Sequence, residues 1–557
     1  MKSNHFLVFI LCIVAVLSFG CKKDAQGAGA ASAAIVNPPG QLPIVKEPIT
    51  LTIGIRQTTN VNDYKTSYLT NYIQEKTGIN LEFQLFANAA NDANTQFELM
   101  VSSNEKLPDI MINDGFPDWG QYGDNGVFVD LTPYYNNWAY FYNQRVQNLN
   151  DSEKNRLRIA STASSGKRYA WVMYSQQATQ NYRSMNFINQ TWLTKLGLKM
   201  PTTTEEFYNT LVAFRDRDPN GNGLKDEIPF VGSITAYAGE PLAFLINAFV
   251  YYPYRDANNG FLNVTNGKLW TPWTTEEYRD ALRYINRLVK EGLMSPATFT
   301  LTQNELTALL SYEKGSVNKI GFFSGHQNQV LRPETPAIFD VTFQVSLTGP
   351  KGVNYYPQLP PRTVPTCFIT KDCKYPEAAF RLLDFIAEKE NSMIARFGEK
   401  GVDWRWTTPD ENAVSYTGAP SHIAVMNQIW GIPQNKHWYQ EFAQMYIETE
   451  NSLLSKWTDD GTWTASRFKL YQALPINDGK DAPEKVDRIV YTKDEEDSIR
   501  EIRSTINTFR EECLSLFCTG GLDPERDWDR YITELDRMGL QRYLQVAQTA
   551  YTRTVGK

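Results

Sequence analysis

The stretch DPNGNGLKDE (218–227) sets Asp218, Asn220, Asn222 and Asp226 at alternating positions, adds Glu227, and threads Gly221 and Gly223 between them. Carboxylates, carboxamides and a backbone carbonyl are what a hard cation of calcium's size accepts, about six to eight oxygens to an ion. The glycines supply the tight turns that let a short loop wrap a sphere. In this register Leu224 would present its carbonyl. A second register, from Asp216 to Glu227, matches a twelve-residue EF-hand loop, with Gly223 in the slot that usually holds an aliphatic residue. The same residues also suit a solvated Asn-Gly turn with no metal.

Elements around the loop have to hold it, and any binding site, in place. ITLTIGI (49–55) alternates β-branched and polar residues as a strand does, and LPDIMIND (107–114) is a second, apolar strand. YLTNYIQEKTG (68–78) between them reads as a helix stopped by Gly78, which gives the strand–helix–strand grammar of an α/β layer. In open sheets of this kind ligands lie beyond the carboxyl ends of the strands, which points to Gln57, Thr58, Asp114, Gly115 and Trp119. Three amphipathic helices are predicted: 202–216, started by Thr202 and Glu205; 274–294, started by Thr274 and Glu277; and 528–539, ending at Gly539.

The 557-residue chain exceeds what one hydrophobic core holds, so two or more domains are expected. A net charge of -7 gives no basic footprint and argues against nucleic acid as the main partner. Lys2, the apolar run 6–19 and SFGC (18–21) read as an export signal, and 22–43, rich in Ala, Gly, Ser and Pro, reads as a flexible tether. Cys367, Cys373, Cys513 and Cys518 remain beyond the signal, as two local disulfides or as four buried thiols.

Two resemblances follow from these residues. The start of the chain resembles a bacterial lipoprotein signal, which implies loss of residues 1–20 and an acyl anchor at Cys21, with 21–48 as the lipidated tether. The segments 188–230, 107–134, 284–296, RFGEKGVDWRW (396–406) and 520–551 resemble the extracellular solute-binding proteins, family 1, of ABC importers, in the oligosaccharide- and alginate-binding branch. That likeness implies a type II periplasmic-binding-protein-like α/β fold: two lobes, a three-segment hinge and a ligand cleft. Crossings are expected near 170–186, 305–317 and 364–371, so that 49–170 with 317–364 makes one lobe and 171–316 with 365–557 the other. It also implies structural calcium held by Asp218, Asn220, Asn222, Leu224, Asp226 and Glu227, away from the solute.

A sugar presents apolar ring faces and a belt of hydroxyls, so its cleft needs aromatic platforms edged by amides and charges. Candidates are Trp404, Arg405 and Trp406, with Gln57, Asp114, Trp119, Tyr174, Phe323 and His326. The function implied is that of a monomeric, lipid-anchored, extracytoplasmic receptor that captures an oligosaccharide and delivers it to permease subunits. Abundant carboxylates leave a glycoside hydrolase open, although no nucleophile elbow, P-loop or HExxH motif is present. A surface adhesin or a sensor's partner would share the anchor and the aromatic richness.

Overall fold

The computed structural model describes residues 35–555 except 117, 177–184, 236–238, 240, 254–260, 314, 327–329, 332–334, 414, 416–419, 428–429, 431, 441, 448–469 and 471–472. Its strands in chain order are β1 (Ile49–Arg56), β2 (Ile79–Phe86), β3 (Ile110–Ile112), β4 (Trp171–Ser175), β5 (Asn186–Asn189), β6 (Ile228–Val231) and β7 (Asn263–Thr265). They continue with β8 (Lys268–Trp270), β9 (Ile320–Ser324), β10 (Val341–Phe343), β11 (Arg362–Ile369), β12 (Trp404–Trp406), β13 (Ile423–Val425) and β14 (Met445–Tyr446).

Two sheets divide these strands. The six-stranded sheet runs β14-β4-β11-β3-β1-β2 and the four-stranded one β10-β5-β9-β6. In the first, β1 pairs in parallel with β2 and β3, and β14 with β4, while β11 runs against β3 and β4. Leu51, Ile53 and Ile55 on alternate positions of β1 are buried, as the pattern of that strand requires. Helix Tyr68–Thr77 returns the chain from β1 to β2; Ser67 accepts from Thr70 N–H at its start, and Gly78 closes it in left-handed backbone at φ 74°.

The division of the chain differs from the one expected. Residues 320–343 lie in the second sheet, with β9 against β5 and β6 and β10 against β5. Residues 362–446 lie in the first, where β11 inserts between β3 and β4. Lobe 1 is therefore built from 35–175 and 362–446, and lobe 2 from 186–343 with a tail that begins by Leu470 and ends in helices Lys493–Thr519, Trp528–Arg537 and Leu540–Val555. The first sheet's share of the chain pauses after Ser175, resumes at Arg362 and ends at Tyr446, with 344–361 between the second sheet and β11.

The tether also ends earlier than expected. Val36 bridges Val45, Ile44 and Val45 are buried, and the Arg381 guanidinium donates to the carbonyls of Asn37, Pro38 and Gln41, strapping this segment onto lobe 1. Cys21 and the rest of the tether lie outside the described residues.

Helix starts fall one residue later than read. Thr203 and Glu206 form a capping box at Thr204–Asp216, and Thr275 accepts from Tyr278 N–H at Glu276–Lys290. That second helix is less a surface element than its pattern suggests, since Tyr278, Ala281, Leu282, Ile285 and Leu288 are buried against the C-terminal helices. Cys367, Cys373, Cys513 and Cys518 are four buried free thiols. Among the described residues no helix is long and apolar enough to cross a membrane.

Candidate ligand cleft and the acidic loop

The crossings show which edges face each other. The chain leaves lobe 1 at the carboxyl end of β4 and re-enters at Arg362, the first residue of β11, so this edge of the sheet looks toward lobe 2. It enters lobe 2 at Asn186, which pairs with Ser324 at the end of β9, and leaves it after Phe343 of β10. The cleft edges are therefore Arg56, Asp114, Gln176 and Arg362 on one side, and Asn186, Ser324 to His326 and Gln344 on the other.

On the lobe 1 edge the Asp114 carboxylate bridges two guanidiniums. Arg56 Nη2 donates to Oδ1 at 2.7 Å and Arg362 Nη2 to Oδ2 at 3.2 Å. These side chains keep 16%, 25% and 28% exposure for Arg56, Arg362 and Asp114, enough to be reached by a solute yet partly withdrawn from water. Arg56 also lies 3.5 Å from Gln440 Oε1, within the loop 430–446 that runs over the same edge. In that loop Trp430 packs on His437 and Tyr439, with centroids 4.5 and 4.9 Å apart, and Arg396 sits 4.4 Å from the Trp430 ring. Tyr439 holds left-handed backbone at φ 57°, a conformation that a bulky residue adopts only when its surroundings impose it. Trp430, Tyr439 and Gln440 are each half-buried. On the lobe 2 edge, Ser324 Oγ and Gln344 Oε1 are buried without a hydrogen-bond partner among the described residues.

The candidates read from the sequence separate into three groups. Asp114 is in the cleft edge, Gln57 is exposed just after β1, and His326 is half-buried just after β9. Trp119 is half-buried but leans on Phe368, a core ring 6.1 Å away, on the face of the sheet. Tyr174, Phe323 and Trp404 are core residues with at most 1% exposure, and so offer no platform. Phe323 stacks on Phe187, while Trp404 donates from Nε1 to the Gly398 carbonyl and meets Trp406 edge-on. The Tyr174 hydroxyl donates to Glu153 Oε1 at 2.8 Å, so its proton is committed inside lobe 1. Burial works against the charge of Glu153, but the bonds from Tyr174, Asn150 N–H and Gln176 outweigh it and hold this carboxyl below its ordinary value. Arg405 is occupied by Glu411, and Trp406 donates to Glu390.

Arg56, Arg362, Trp430, Tyr439 and Gln440 were not anticipated. The first stands one residue before Gln57, the aromatic run WGIPQNKHWYQ (430–440) carries the clearest signal for the last three, and no local pattern marks Arg362.

The acidic loop lies at the opposite end of lobe 2. It runs into the amino end of β6, whereas the cleft edge is at that strand's carboxyl end. Asp218, at φ 44°, accepts from the N–H groups of Gly221, Asn222 and Gly223, and Gly221 and Gly223 take φ 77° and 75°. The Asn220 and Asn222 amides converge on Asp226, and Lys319 Nζ lies 2.8 Å from the same carboxylate. Lys319 and the two amides hold the Asp226 carboxyl down at about 2. Asp216 is chelated by its neighbour Arg215, which favours the register beginning at Asp218. Glu227 Oε1 is buried and has no partner among the described residues, and the Leu224 side chain is 60% exposed, so its backbone is what this position contributes. The donor set thus fits a hard cation through three carboxylates, two amides and a carbonyl. Among the described residues no group of three His, Cys, Asp or Glu side chains forms a metal cluster of its own.

Comparison with known proteins places this geometry. The sequence model of the bacterial extracellular solute-binding proteins matches residues 59–393, more than half of the chain. The chain is 25% identical over 502 residues to the fructooligosaccharide ABC transporter substrate-binding protein FusA of Streptococcus pneumoniae, covering 86% of this chain and 85% of that one. The crystal structure of an extracellular solute-binding protein from Bifidobacterium longum subsp. infantis superposes with a TM-score of 0.73 at 20% identity, over 91% of this chain and 98% of that one. An EF-hand mutant of FusA in complex with fructo-nystose superposes at 0.70 and 21% identity, over 91% of this chain and all of that one.

Proposed function

The chain belongs to the bacterial extracellular solute-binding proteins, and from that premise we propose that it captures an oligosaccharide between its two lobes for an ABC importer. Its place is extracytoplasmic, and its partners are the solute and the permease. The observation that carries the reading is the Arg56–Asp114–Arg362 cluster on the edge facing lobe 2, met by Gln440 of the loop that carries Trp430 and Tyr439. Charged donors and acceptors fixed by each other, next to aromatic rings, are what a polyhydroxylated ring recruits. A transport receptor must also let its solute go, and closure of two lobes about three strands of backbone permits that.

The loop 218–227 holds calcium as a structural ion far from the solute. The donor set and the orphaned Glu227 oxygen support this, as does the EF-hand named for a FusA mutant. Asp218, Asn220, Asn222, Asp226, Glu227 and the Leu224 carbonyl would hold the ion, and its charge would knit the loop to the start of β6. An acyl anchor at Cys21 would keep the receptor at the membrane as a monomer, and the protein performs no catalysis.

A thermal-shift screen of residues 22–557 with calcium, against neutral and acidic oligosaccharides with fructooligosaccharides first, tests the reading. A ligand that binds only the folded state raises the melting temperature. A hit recovered unchanged supports capture, and a hit that is cleaved refutes it.

A further inference from the structure

Two ion pairs join the lobes on the far face of the lobe 1 sheet from the aromatic loop. Arg156 Nη2, on helix Asp151–Ser161 of lobe 1, meets Asp487 Oδ2 of lobe 2 at 2.8 Å. Arg500 Nη2 of lobe 2 stands 3.9 Å from Asp118 Oδ1 of lobe 1, and it also faces Glu496 and Asp497, so this second pair is the weaker. The face they occupy follows from β4, where side chains three positions apart point to opposite sides. Tyr174 donates to Glu153 and fixes helix Asp151–Ser161 on one face, while Trp171 Nε1 donates to the Ala443 carbonyl and fixes the loop 430–446 on the other. Cys367 of β11 is paired with Trp171, so Phe368, its neighbour, shares the face of Tyr174. Trp119 leans on Phe368 and puts Asp118 on that face too.

Each pair borders a cavity, of about 100 Å³ at Arg156 and Asp487 and of about 210 Å³ at Asp118 and Arg500. The lobes meet here through charges beside open space, a kind of contact that parts readily. A solute seated against Trp430 and Tyr439 draws lobe 2 toward the face of the sheet that carries the loop. Closure about the connections at β4 and β11 then swings lobe 2 away from the helix face, and both ion pairs must break. We propose that this charged seam is a counter-latch: it holds the lobes apart in the empty receptor, and its strength is subtracted from the affinity for the solute. Arg156, Asp487, Asp118 and Arg500 thus set affinity as positioning residues that do not touch the solute. This rests on the reading of the chain as an oligosaccharide receptor.

The test is calorimetric titration of fructooligosaccharides, and of a panel of other neutral and acidic oligosaccharides, into the full-length chain. Asp487→Asn and Asp118→Asn each remove one pair at a carboxylate that is about half exposed. Expected is a gain in affinity of about two- to fivefold from each and roughly the product of the two in the double variant. The gain is the larger for Asp487→Asn, because its partner Arg156 is only 15% exposed. Asp487→Glu keeps the pair and with it the unaltered affinity. Without sugar, the double variant has a smaller radius of gyration than the unaltered protein by X-ray scattering, nearer to the sugar-bound value. Affinity that is unchanged or lower in both Asn variants overturns the counter-latch, and a fall assigns the pairs to the closed state instead. If no sugar binds the unaltered protein, the receptor reading falls, and the sugar-free radius then decides the seam: a decrease in the double variant supports it, and no change overturns it.

Discussion

Trp404 and Trp430 should behave in opposite ways. Trp404 is fully buried, gives its indole N–H to the Gly398 carbonyl at 3.0 Å, and packs edge-on against Trp406 at 5.1 Å. Truncating a buried Trp to Ala removes its transfer free energy and leaves a cavity, about 3–5 kcal/mol together. The hydrogen bond adds to this, because the Gly398 carbonyl is left without its donor in a dry site. Trp404→Ala should therefore lower the stability of lobe 1 by about that amount while the affinity of the molecules that remain folded stays within a factor of two or so. Trp430, half-buried on the cleft loop, should show the reverse: a small stability change and a loss of roughly tenfold or more in affinity, from a lost stacking contact of about 1–2 kcal/mol. Urea unfolding followed by intrinsic fluorescence, paired with calorimetric titration well below the transition, separates the two quantities. A Trp404→Ala variant of undiminished stability that no longer binds sugar would refute the assignment of that ring to the core.

Asp114→Ala should cost affinity by roughly tenfold or more, because Arg56 and Arg362 lose the carboxylate that fixes both, and Asp114→Asn should recover only part of it; calorimetry reads both. Chelation of calcium should lower the melting temperature; Glu227→Gln should weaken calcium binding, and Lys319→Met should tighten it by freeing Asp226, as read with a calcium indicator. In the metal-free protein the Asp226 carboxyl is depressed to about 2, so its pairing contributes fully above the ordinary carboxylate range and fades as pH falls from about 4 toward 2, a fading that Lys319→Met should lessen, with the Asn220 and Asn222 amides holding the rest, in acid unfolding curves. Arg381→Ala removes the donors that strap residues 37–41 to lobe 1, and limited proteolysis should then cut within 35–48 well before either lobe unfolds.

What could be read from the sequence was what is local. The helix that stops at Gly78 and the strand 49–55 each depend on neighbours a few residues away, and both stand where the pattern put them. Lobe membership is not local. The runs 320–324 and 341–343 are as apolar as 362–369, and only pairing with β5 in one case and with β3 and β4 in the other assigns them. The same limit explains the aromatics. Trp404 and Trp430 are the same residue type and differ in burial because one lies inside the lobe 1 core and the other packs against that core from a loop. Arg56 and Arg362 come together through Asp114 from positions more than three hundred residues apart, a proximity that no spacing in the chain announces.

Solution X-ray scattering of the calcium-loaded protein, with and without a saturating oligosaccharide, tests capture by closure most directly. The account requires the radius of gyration to fall on binding and the sugar to be recovered chemically intact. A sugar that binds while the radius of gyration stays fixed, or that comes back cleaved, would contradict it.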